Sequence, residues 1–386
     1  MNVLMVTFVV PHAHAVSGAA LIMYEQIRAL AGLHSLTMVT FAAAEREEVR
    51  AVSHLESLGV AVQQVGSKVP PSLIRWKRRV EHSLRRSSTG RAMISELPVD
   101  DRMQRCIHDL QASGRFDLLH VEGIGFRGYD FGDDLPSVLI EHEVVNDHRD
   151  DGLTGQAAMW RQFDRIQVFT PRDAAAIREL TPDMADRVRV NPFGVSLPVE
   201  TDKGAEDSDL VLFVGGFRHR PNVEGARVLA LEIMPRLRQL HPGAAAAIVG
   251  SHPPREVREL ASAYVQVDAN VPSVDPYINR ATVVAAPLYS GGGMRVKILQ
   301  AMAHGKAVVT TPLGAEGLPA TSERPLIIVE RPEDFAREIA ALLSDVERRR
   351  RLGADARAFA EAHHSWNAYT SRLERMYEEA IDCRRA

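Results

Sequence analysis

Short apolar runs alternate with longer amphipathic stretches along the whole chain, and this alternation limits the possible folds most strongly. Such a pattern is typical of parallel sheets flanked by helices, because helices cover both faces of the strands. We predict strands near residues 3–10, 36–41, 60–65, 118–121, 138–141, 166–170, 210–214, 245–249, 265–267, 283–286 and 307–310. The predicted fold class is therefore α/β, with one doubly wound domain in each half.

A polar segment separates the two halves. Residues 198–209 are acidic and lack apolar periodicity, as expected for a surface linker. We predict an N-terminal domain over residues 1–197 and a C-terminal domain over residues 210–365. Residues 366–386 form a predicted last helix, and we expect its apolar face to pack back on the N-terminal domain.

The composition excludes several classes of protein. The chain has 386 residues, with 46 Lys and Arg against 50 Asp and Glu, so its overall charge does not favour nucleic acid as a partner. The two cysteines, Cys106 and Cys383, provide neither a disulfide framework nor a Cys-x-x-Cys metal motif. No apolar run approaches the roughly 20 residues that span a bilayer. We therefore expect a cytoplasmic protein.

One basic segment departs from this near-neutral composition. Within residues 73–86, Leu73, Trp76, Val80 and Leu84 recur at helical spacing among arginines and lysines. A basic amphipathic helix with a tryptophan can lie on the anionic inner face of a membrane or bind a charged acceptor. An ordinary solvated helix face explains the same pattern, so both interpretations stay open.

The segment 287–306 carries the strongest functional signal. It is predicted to be the end of a strand, a triple-glycine turn and a helix whose apolar face includes Met294. Gly292 and Gly293 let backbone N–H groups approach a ligand closely, and Arg295 and Lys297 add positive charge to the helix N-terminus. These features predict a binding site for a diphosphate.

Two other glycine turns follow predicted strands. Gly215 and Gly216 come directly after the strand at 210–214, with Arg220 close behind and Asn222 expected to cap the next helix. Gly18 opens a helix after the first strand, where free N–H groups also suit a phosphate. An ordinary turn explains either signal taken alone. Because a dinucleotide fingerprint needs three glycines, Gly18 disfavours an NAD-dependent dehydrogenase.

Taken in order, these segments resemble the retaining GT-B glycosyltransferases of family four, also described as glycosyl transferases group 1. The resemblance is strongest from about Val211 to Leu318 and looser over the first half. The matching motifs are Phe213-Val214-Gly215-Gly216, Arg220-Pro221-Asn222, Ile248-Val249-Gly250, Ala286-Pro287-Leu288 with the glycine loop and its helix, Val308-Val309-Thr310-Thr311 and Gly314-Ala315-Glu316-Gly317-Leu318.

The resemblance implies transfer of a sugar from a nucleoside-diphosphate donor, held in a central cleft between two Rossmann-like domains of a GT-B fold. It implies retention of configuration and catalysis without a metal. The family's E-x7-E pattern, which contacts the donor sugar and the ribose, falls here on Gly292 and Gln300, so both carboxylates are absent. Gln300 can still bind ribose through its amide.

The resemblance also points to the segment Ile140-Glu141-His142-Glu143 at a predicted strand end. His142 matches the family's strand-end histidine, which contacts the donor sugar, and we expect the two flanking carboxylates to keep it cationic or to orient its tautomer. Without the resemblance, His142 is better interpreted as a structural histidine. Glu143, Asn146 and His148 are weaker candidates for acceptor binding or helix capping. The spacing matches no zinc motif, so we expect no metal.

The predicted function is therefore a metal-independent, retaining glycosyltransferase without a cofactor. His142, Arg220 and Lys297 are the predicted catalytic residues, and the predicted donor-binding residues are Gly18, Gly215, Gly216, Gly292, Gly293, Met294, Arg295 and Gln300. The expected partners are a nucleotide-sugar donor and an acceptor that is a small molecule, a glycan or a lipid-linked sugar. A nucleotide-sugar 2-epimerase of similar architecture and a non-catalytic nucleotide-sugar-binding subunit stay as alternatives.

Overall fold

The computed structural model folds into two compact units. The first contains Met1–Phe193 and Tyr369–Ala386, and the second contains Gly194–Ala368. The structure describes residues 1–12, 18–43, 46–66, 99–123, 125–142, 144, 151–198, 207, 209–291, 295–318 and 325–385. The basic segment 73–86 and most of the predicted linker 198–209 lie outside these residues.

The first unit is built on a parallel sheet in the order β3-β2-β1-β4-β5-β6-β7. Its strands are β1 (Asn2–Thr7), β2 (Ser35–Phe41), β3 (Ala61–Val65), β4 (Leu118–Glu122), β5 (Ser137–Ile140), β6 (Arg165–Val168) and β7 (Val188–Val190). Its helices before the final one are α1 (Gly18–Leu30), α2 (Arg46–Ser57), α3 (Asp101–Gln111), α4 (Asp151–Trp160) and α5 (Pro171–Leu180), followed by a 3-10 turn at Pro182–Arg187. The central strands β1, β4 and β5 are almost entirely buried, as expected for parallel strands covered on both faces, and β4 also buries His120 and Glu122.

The second unit repeats this plan with a sheet in the order β10-β9-β8-β11-β12-β13. Its strands are β8 (Leu210–Val214), β9 (Ala245–Gly250), β10 (Val265–Ala269), β11 (Val283–Ala286), β12 (Ala307–Thr310) and β13 (Ile327–Ile328). Its helices are α6 (Arg220–Val228), a π-helical turn at Leu229–Ile233, α7 (Met234–Leu240), α8 (Arg255–Arg258), α9 (Asp275–Arg280), α10 (Val296–Ala303), α11 (Pro332–Ser344) and α12 (Val346–His364). The strand order is that of a doubly wound nucleotide-binding fold.

The predicted α/β fold with two parallel sheets is confirmed, and eleven of the strands lie where the apolar runs place them. The first strand ends at Thr7, three residues before the predicted Val10. β7 and β13 were not predicted from the sequence, because they contain only three and two residues and lie at the sheet edges. Such short strands leave no apolar run that stands out from a loop.

The final helix, α13 (Trp366–Arg385), contributes its residues from Tyr369 onward to the first unit. Its buried face consists of Tyr369, Thr370, Leu373, Met376, Tyr377 and Ala380. Glu379 on this helix accepts hydrogen bonds from Arg165 and Arg189 at 3.0 and 2.9 Å. The first unit therefore ends at Phe193 rather than 197, and it takes up the last helix from Tyr369 rather than from Trp366.

Among the described helices, none is both long and apolar enough to cross a bilayer.

Candidate functional site

The glycine turns of the second unit meet at the carboxyl edge of its sheet. β8 and β11 are neighbours there, and the chain leaves β8 towards β9 on one side and β11 towards β12 on the other. Open α/β sheets bind ligands at such a point, outside the carboxyl ends of the strands. Gly215 and Gly216 follow β8, and Gly291 follows β11. The fold therefore brings two of the three predicted turns to one edge.

The turn after β8 is held by Asn222. The Asn222 amide donates to the Gly216 carbonyl at 2.7 Å, and a Cβ on Gly215 would lie only 3.0 Å from Asn222 Cβ. Only glycine fits at 215 without a shift of α6, whereas a Cβ on Gly216 would make an ordinary contact 3.6 Å from Ser251 Oγ. The prediction that Asn222 caps α6 is wrong, because the N-cap residue is His219 and Pro221 occupies the first turn.

Lys297 lies in the first turn of α10 at this edge. Its ammonium donates to Asn222 Oδ1 and lies 4.7 Å from the centroid of the Phe213 ring. Burial, together with the nearby Arg295 guanidinium, lowers the pKa of Lys297 to about 7. Neither Asn222 nor Phe213 neutralises this cation. An anion that binds here would therefore restore its charge.

Arg295 is the N-cap residue of α10 and is buried, with 7% of its surface exposed. Its Nη2 donates to the Gly291 carbonyl at 2.9 Å. Gly291 has φ +92° and a Cβ there would lie 2.8 Å from Pro221 Cγ, so this position requires glycine. Arg295 thus holds Gly291, the first residue of the predicted triple-glycine turn. Gly292, Gly293 and Met294 lie outside the described residues.

The loop after β12 is tied to the same edge. Thr310 Oγ1 donates to the Ala286 carbonyl at 2.9 Å, and Thr311 Oγ1 donates to the Leu288 carbonyl at 2.5 Å. Gly314 N–H in turn donates to Thr311 Oγ1 at 2.9 Å. These bonds connect the predicted Val308–Thr311 motif to the segment that leads into the glycine turn.

The other predicted residues of the second unit are less directly placed. Arg220 is exposed and pairs with Glu224 at 3.3 Å and with Glu256 at 2.7 Å. Glu224 also accepts from Ser290 Oγ at 2.6 Å, so Arg220 is linked to the segment after β11 through a carboxylate. Gln300 lies half-buried in the middle of α10.

In the first unit, His142 lies two residues beyond β5 and its side chain is only 5% exposed. Its Nε2 is hydrogen-bonded to Glu122 at the carboxyl end of β4. The expectation that flanking carboxylates orient the ring is corrected at Glu141, which instead accepts from Trp160 Nε1 at 2.8 Å. Sequence reasoning missed Glu122 because only the pairing of β4 with β5 brings it beside His142. Glu143, Asn146 and His148 lie outside the described residues.

Glu122 is fully buried and also contacts Gln26 and His120. Gln26 Nε2 lies 2.7 Å and His120 Nε2 lies 3.0 Å from its Oε1. Burial by itself would raise the pKa of Glu122, but His142 and His120 lower it to about 2. Glu122 is therefore a buried carboxylate anion. Gly18, the remaining predicted residue of this unit, is the first residue of α1.

Within the described part of the chain, no group of three or more His, Cys, Asp or Glu side chains is arranged to hold a metal ion. His120, Glu122 and His142 are close together, but the Nε2 atom of each ring is hydrogen-bonded to a Glu122 carboxylate oxygen. The metal independence of the reaction stays a prediction.

Comparison with known sequences places a family match on the second unit. Residues 208–345 match the family described as glycosyl transferases group 1. An uncharacterized glycosyltransferase of Methanocaldococcus jannaschii is 27% identical over 96 residues, or 24% of each chain. The chain therefore matches about a quarter of the length of this curated relative. The family match spans the segment where the motif resemblance is strongest.

Several solved structures share the fold across nearly the whole chain. A glycosyltransferase from Rickettsia africae has a TM-score of 0.70 at 13% identity and covers 98% of both chains. A sucrose-phosphate synthase from Thermosynechococcus elongatus has a TM-score of 0.68 at 17% identity and covers 99% of both chains. The Anabaena HepE protein, solved with UDP and glucose, has a TM-score of 0.67 at 13% identity, with 98% and 99% covered.

These comparisons confirm the predicted GT-B fold, and the match of residues 208–345 to glycosyl transferases group 1 supports the prediction of a glycosyltransferase.

Proposed function

We propose that the chain transfers a sugar from a nucleoside-diphosphate donor to an acceptor hydroxyl, with retention of configuration and without a metal ion. The observation that carries the donor class is Lys297. This cation is bound to a neutral amide and an aromatic face at the carboxyl ends of β8 and β11, beside two glycine turns. A diphosphate would bring negative charge to this cation, which its contacts with Asn222 and Phe213 do not supply.

The assigned roles follow from the charge that develops during transfer. The bond between the anomeric carbon and the diphosphate oxygen breaks, and the diphosphate takes the electron pair. Lys297, Arg295 and the backbone N–H groups of the glycine turns stabilise this growing negative charge. Because the same groups bind the ground state less strongly, they lower the barrier.

The acceptor oxygen bonds to the anomeric carbon on the face that the diphosphate leaves, and its proton passes to the departing phosphate oxygen. No side chain of this chain acts as a covalent nucleophile in this scheme. His142 orients the donor sugar, and the Gln300 amide holds the ribose in place of a carboxylate. These two roles are carried over from the motif resemblance and are tested below.

The first test identifies the donor. Nucleoside diphosphates and their sugars, beginning with UDP and UDP-glucose, are compared by thermal shift, because a ligand that binds only the folded state raises the melting temperature. UDP comes first because the Anabaena HepE structure contains it. We expect a shift with at least one diphosphate and a smaller shift with the corresponding monophosphate. Equal shifts with both would contradict the diphosphate site.

The second test addresses the reaction. Product formed with the selected donor in excess chelator is analysed by NMR, and we expect the anomeric configuration of the donor to be retained. An inverted product would overturn the mechanism, and activity that disappears with chelator and returns with a divalent cation would overturn metal independence.

The alternatives give different products in the same assay. A 2-epimerase converts the donor sugar without any acceptor, so incubation with donor alone distinguishes it from a transferase. The absence of both E-x7-E carboxylates, at Gly292 and Gln300, favours a non-catalytic nucleotide-sugar-binding subunit as the second candidate. That function predicts donor binding without any turnover by the purified chain across a panel of sugar acceptors.

A further inference from the structure

A chain of buried hydrogen bonds in the first unit leads from α13 towards Glu122. Its outer part begins at Arg372, whose Nε donates to Asn191 Oδ1 at 2.7 Å. Asn191 Nδ2 donates to Gln167 Oε1 at 2.8 Å, and Gln167 Nε2 donates to the Tyr369 hydroxyl at 2.9 Å. Every donor in this series points the same way, so the Tyr369 hydroxyl has its own proton available for the next acceptor.

The inner part continues from Tyr369. Its hydroxyl donates to Gln26 Oε1 at 2.5 Å, and the Gln26 amide nitrogen donates to Glu122 Oε1 at 2.7 Å. A second branch reaches the same oxygen from Tyr377, whose hydroxyl lies 2.7 Å from His120 Nδ1. Burial raises the pKa of Tyr369 and of Tyr377, with a further contribution from the Glu122 charge, so both hydroxyls keep their protons.

The carboxylate at the end of both branches can only accept hydrogen bonds. Glu122 therefore accepts an Nε2–H from each of His120 and His142. The Gln26 and His120 Nε2 atoms lie 2.9 Å apart because both donate to the same Glu122 oxygen. For His120 this leaves Nδ1 to accept from Tyr377. For His142 it leaves Nδ1 as the ring nitrogen that can face a ligand, and none of the described residues bonds to it. The ring itself is held by Phe169, with 5.3 Å between the ring centroids.

We infer that Glu122 is a positioning residue for His142, which fixes the ring with Nε2–H inward and Nδ1 outward, and that Tyr369 of α13 supports it through Gln26. The geometric part concerns the free protein and stands independently. Its consequence for catalysis rests on the proposed function, in which His142 contacts the donor sugar. The helix α13 therefore contributes to catalysis as well as covering the sheet.

The experiment compares Glu122→Gln with Glu122→Asp in the full chain. An amide at 122 brings two N–H groups into a place where three other donors already point, so a histidine ring must turn or change tautomer to accept from it. An aspartate keeps an acceptor-only group. Glu141→Gln is the matched control. Glu141 is also buried and is next to His142 in the sequence, but its carboxylate accepts a hydrogen bond from Trp160 Nε1.

The first readout is the protonation of the ring nitrogens in the free protein, obtained from histidine 15N–1H correlation spectra, with His142 assigned by its loss in His142→Gln. We expect Nε2–H in the wild type, in Glu122→Asp and in Glu141→Gln, and Nδ1–H or a mixture in Glu122→Gln. An Nδ1–H tautomer in the wild type, or an unchanged tautomer in Glu122→Gln, would overturn the inference. No substrate is needed, so this result does not depend on the proposed function.

The second readout is steady-state kinetics with the donor selected above. We expect kcat to fall by about tenfold or more in Glu122→Gln with the donor KM changed by less than about threefold, since orientation is lost and diphosphate binding is not. Tyr369→Phe, which removes only the hydroxyl link, should lower kcat less and in the same direction. It remains informative if Glu122→Gln does not fold. Unchanged kcat in both variants would overturn the positioning role.

Discussion

The carboxyl edges of the two sheets differ in how their buried charged side chains are partnered. At the edge of the second unit, Lys297 is a cation that contacts the neutral Asn222 amide and the Phe213 ring, with the Arg295 guanidinium nearby. At the edge of the first unit, Glu122 is an anion that is completely buried and receives hydrogen bonds from three side chains. Among the described residues, the contacts of Lys297 bring no negative charge to it, whereas Glu122 has donors on both carboxylate oxygens.

This difference separates binding from positioning. Where a ligand is to supply the opposite charge, burial disfavours the protonated form of the protein's own side chain in the free protein. The lowered pKa of Lys297 is an example. Where the protein supplies the charge, the network must satisfy it in the absence of ligand, as it does at Glu122. Substitutions at the first kind of edge should change ligand affinity, and substitutions at the second should change stability and orientation.

The largest effect on stability is expected at Gly250, which packs against the turn after β8. A Cβ on Gly250 at the end of β9 would lie 1.8 Å from the Gly215 carbonyl oxygen, so Gly250→Ala must displace the turn after β8. We expect a loss of about 3–4 kcal/mol in the free energy of unfolding, measured by urea denaturation. Gly216→Ala is the control, since its Cβ meets only Ser251 Oγ at 3.6 Å, and it should cost less than about 1 kcal/mol. Equal stability of the two variants would contradict the close packing of this edge.

The next effect concerns the buried anion. Because the folded state lowers the pKa of Glu122 from 4.5 to about 2, this carboxylate stabilises the fold above pH 4.5 and that contribution is lost as the pH falls towards 2. Its magnitude is about 3 kcal/mol. The stability difference between wild type and Glu122→Gln should therefore be largest near pH 6 and shrink as the pH is lowered from about 5 to 3. A difference that does not change over this range would show that Glu122 is not a buried anion.

The sequence predicts the second edge better than the first. Gly215, Gly216, Arg295 and Lys297 lie in two short segments, and each segment directly follows an apolar strand, so local pattern and strand order suffice to bring them together. Glu122 and His142 come from different strands, and Gln26, Tyr369 and Tyr377 come from helices that are far apart in the chain. No spacing rule relates such positions. Only the packed structure reveals that they form one network.

The third effect is the pH dependence of diphosphate affinity, which shows whether a bound ligand restores the charge of Lys297. With a pKa of about 7 in the free protein, Lys297 loses its proton as the pH rises above 7, and a bound diphosphate raises this pKa. The affinity for the nucleoside diphosphate selected by thermal shift should therefore fall between about pH 7 and 9, by at most tenfold per pH unit. Titration calorimetry in buffers of different ionisation enthalpy should show proton uptake on binding over the same range.

Two variants separate charge from proton uptake at this position. Lys297→Arg keeps a cation that stays protonated, so its affinity should be nearly independent of pH over this range. Lys297→Met removes a charge-assisted contact worth roughly 1.5–3 kcal/mol, so its affinity should fall by about tenfold or more and should also be independent of pH. If all three proteins show the same pH profile, another group titrates and Lys297 does not hold the diphosphate.

The smallest effect on affinity is expected at Gln300. This residue has an amide where the E-x7-E pattern has its second carboxylate. If the Gln300 amide binds the ribose hydroxyls, Gln300→Leu leaves those hydroxyls without a partner and should weaken nucleoside-diphosphate affinity by about 1 kcal/mol, or roughly fivefold. Gln300→Glu offers a charged acceptor of nearly the same shape and should match or exceed the wild-type affinity. Because the diphosphate contacts are unchanged, affinity for inorganic pyrophosphate should be the same in all three proteins. Equal nucleotide affinity for Gln300→Leu and the wild type would place the ribose on other residues, while an equal loss for pyrophosphate would mean that the substitution had disturbed α10 itself.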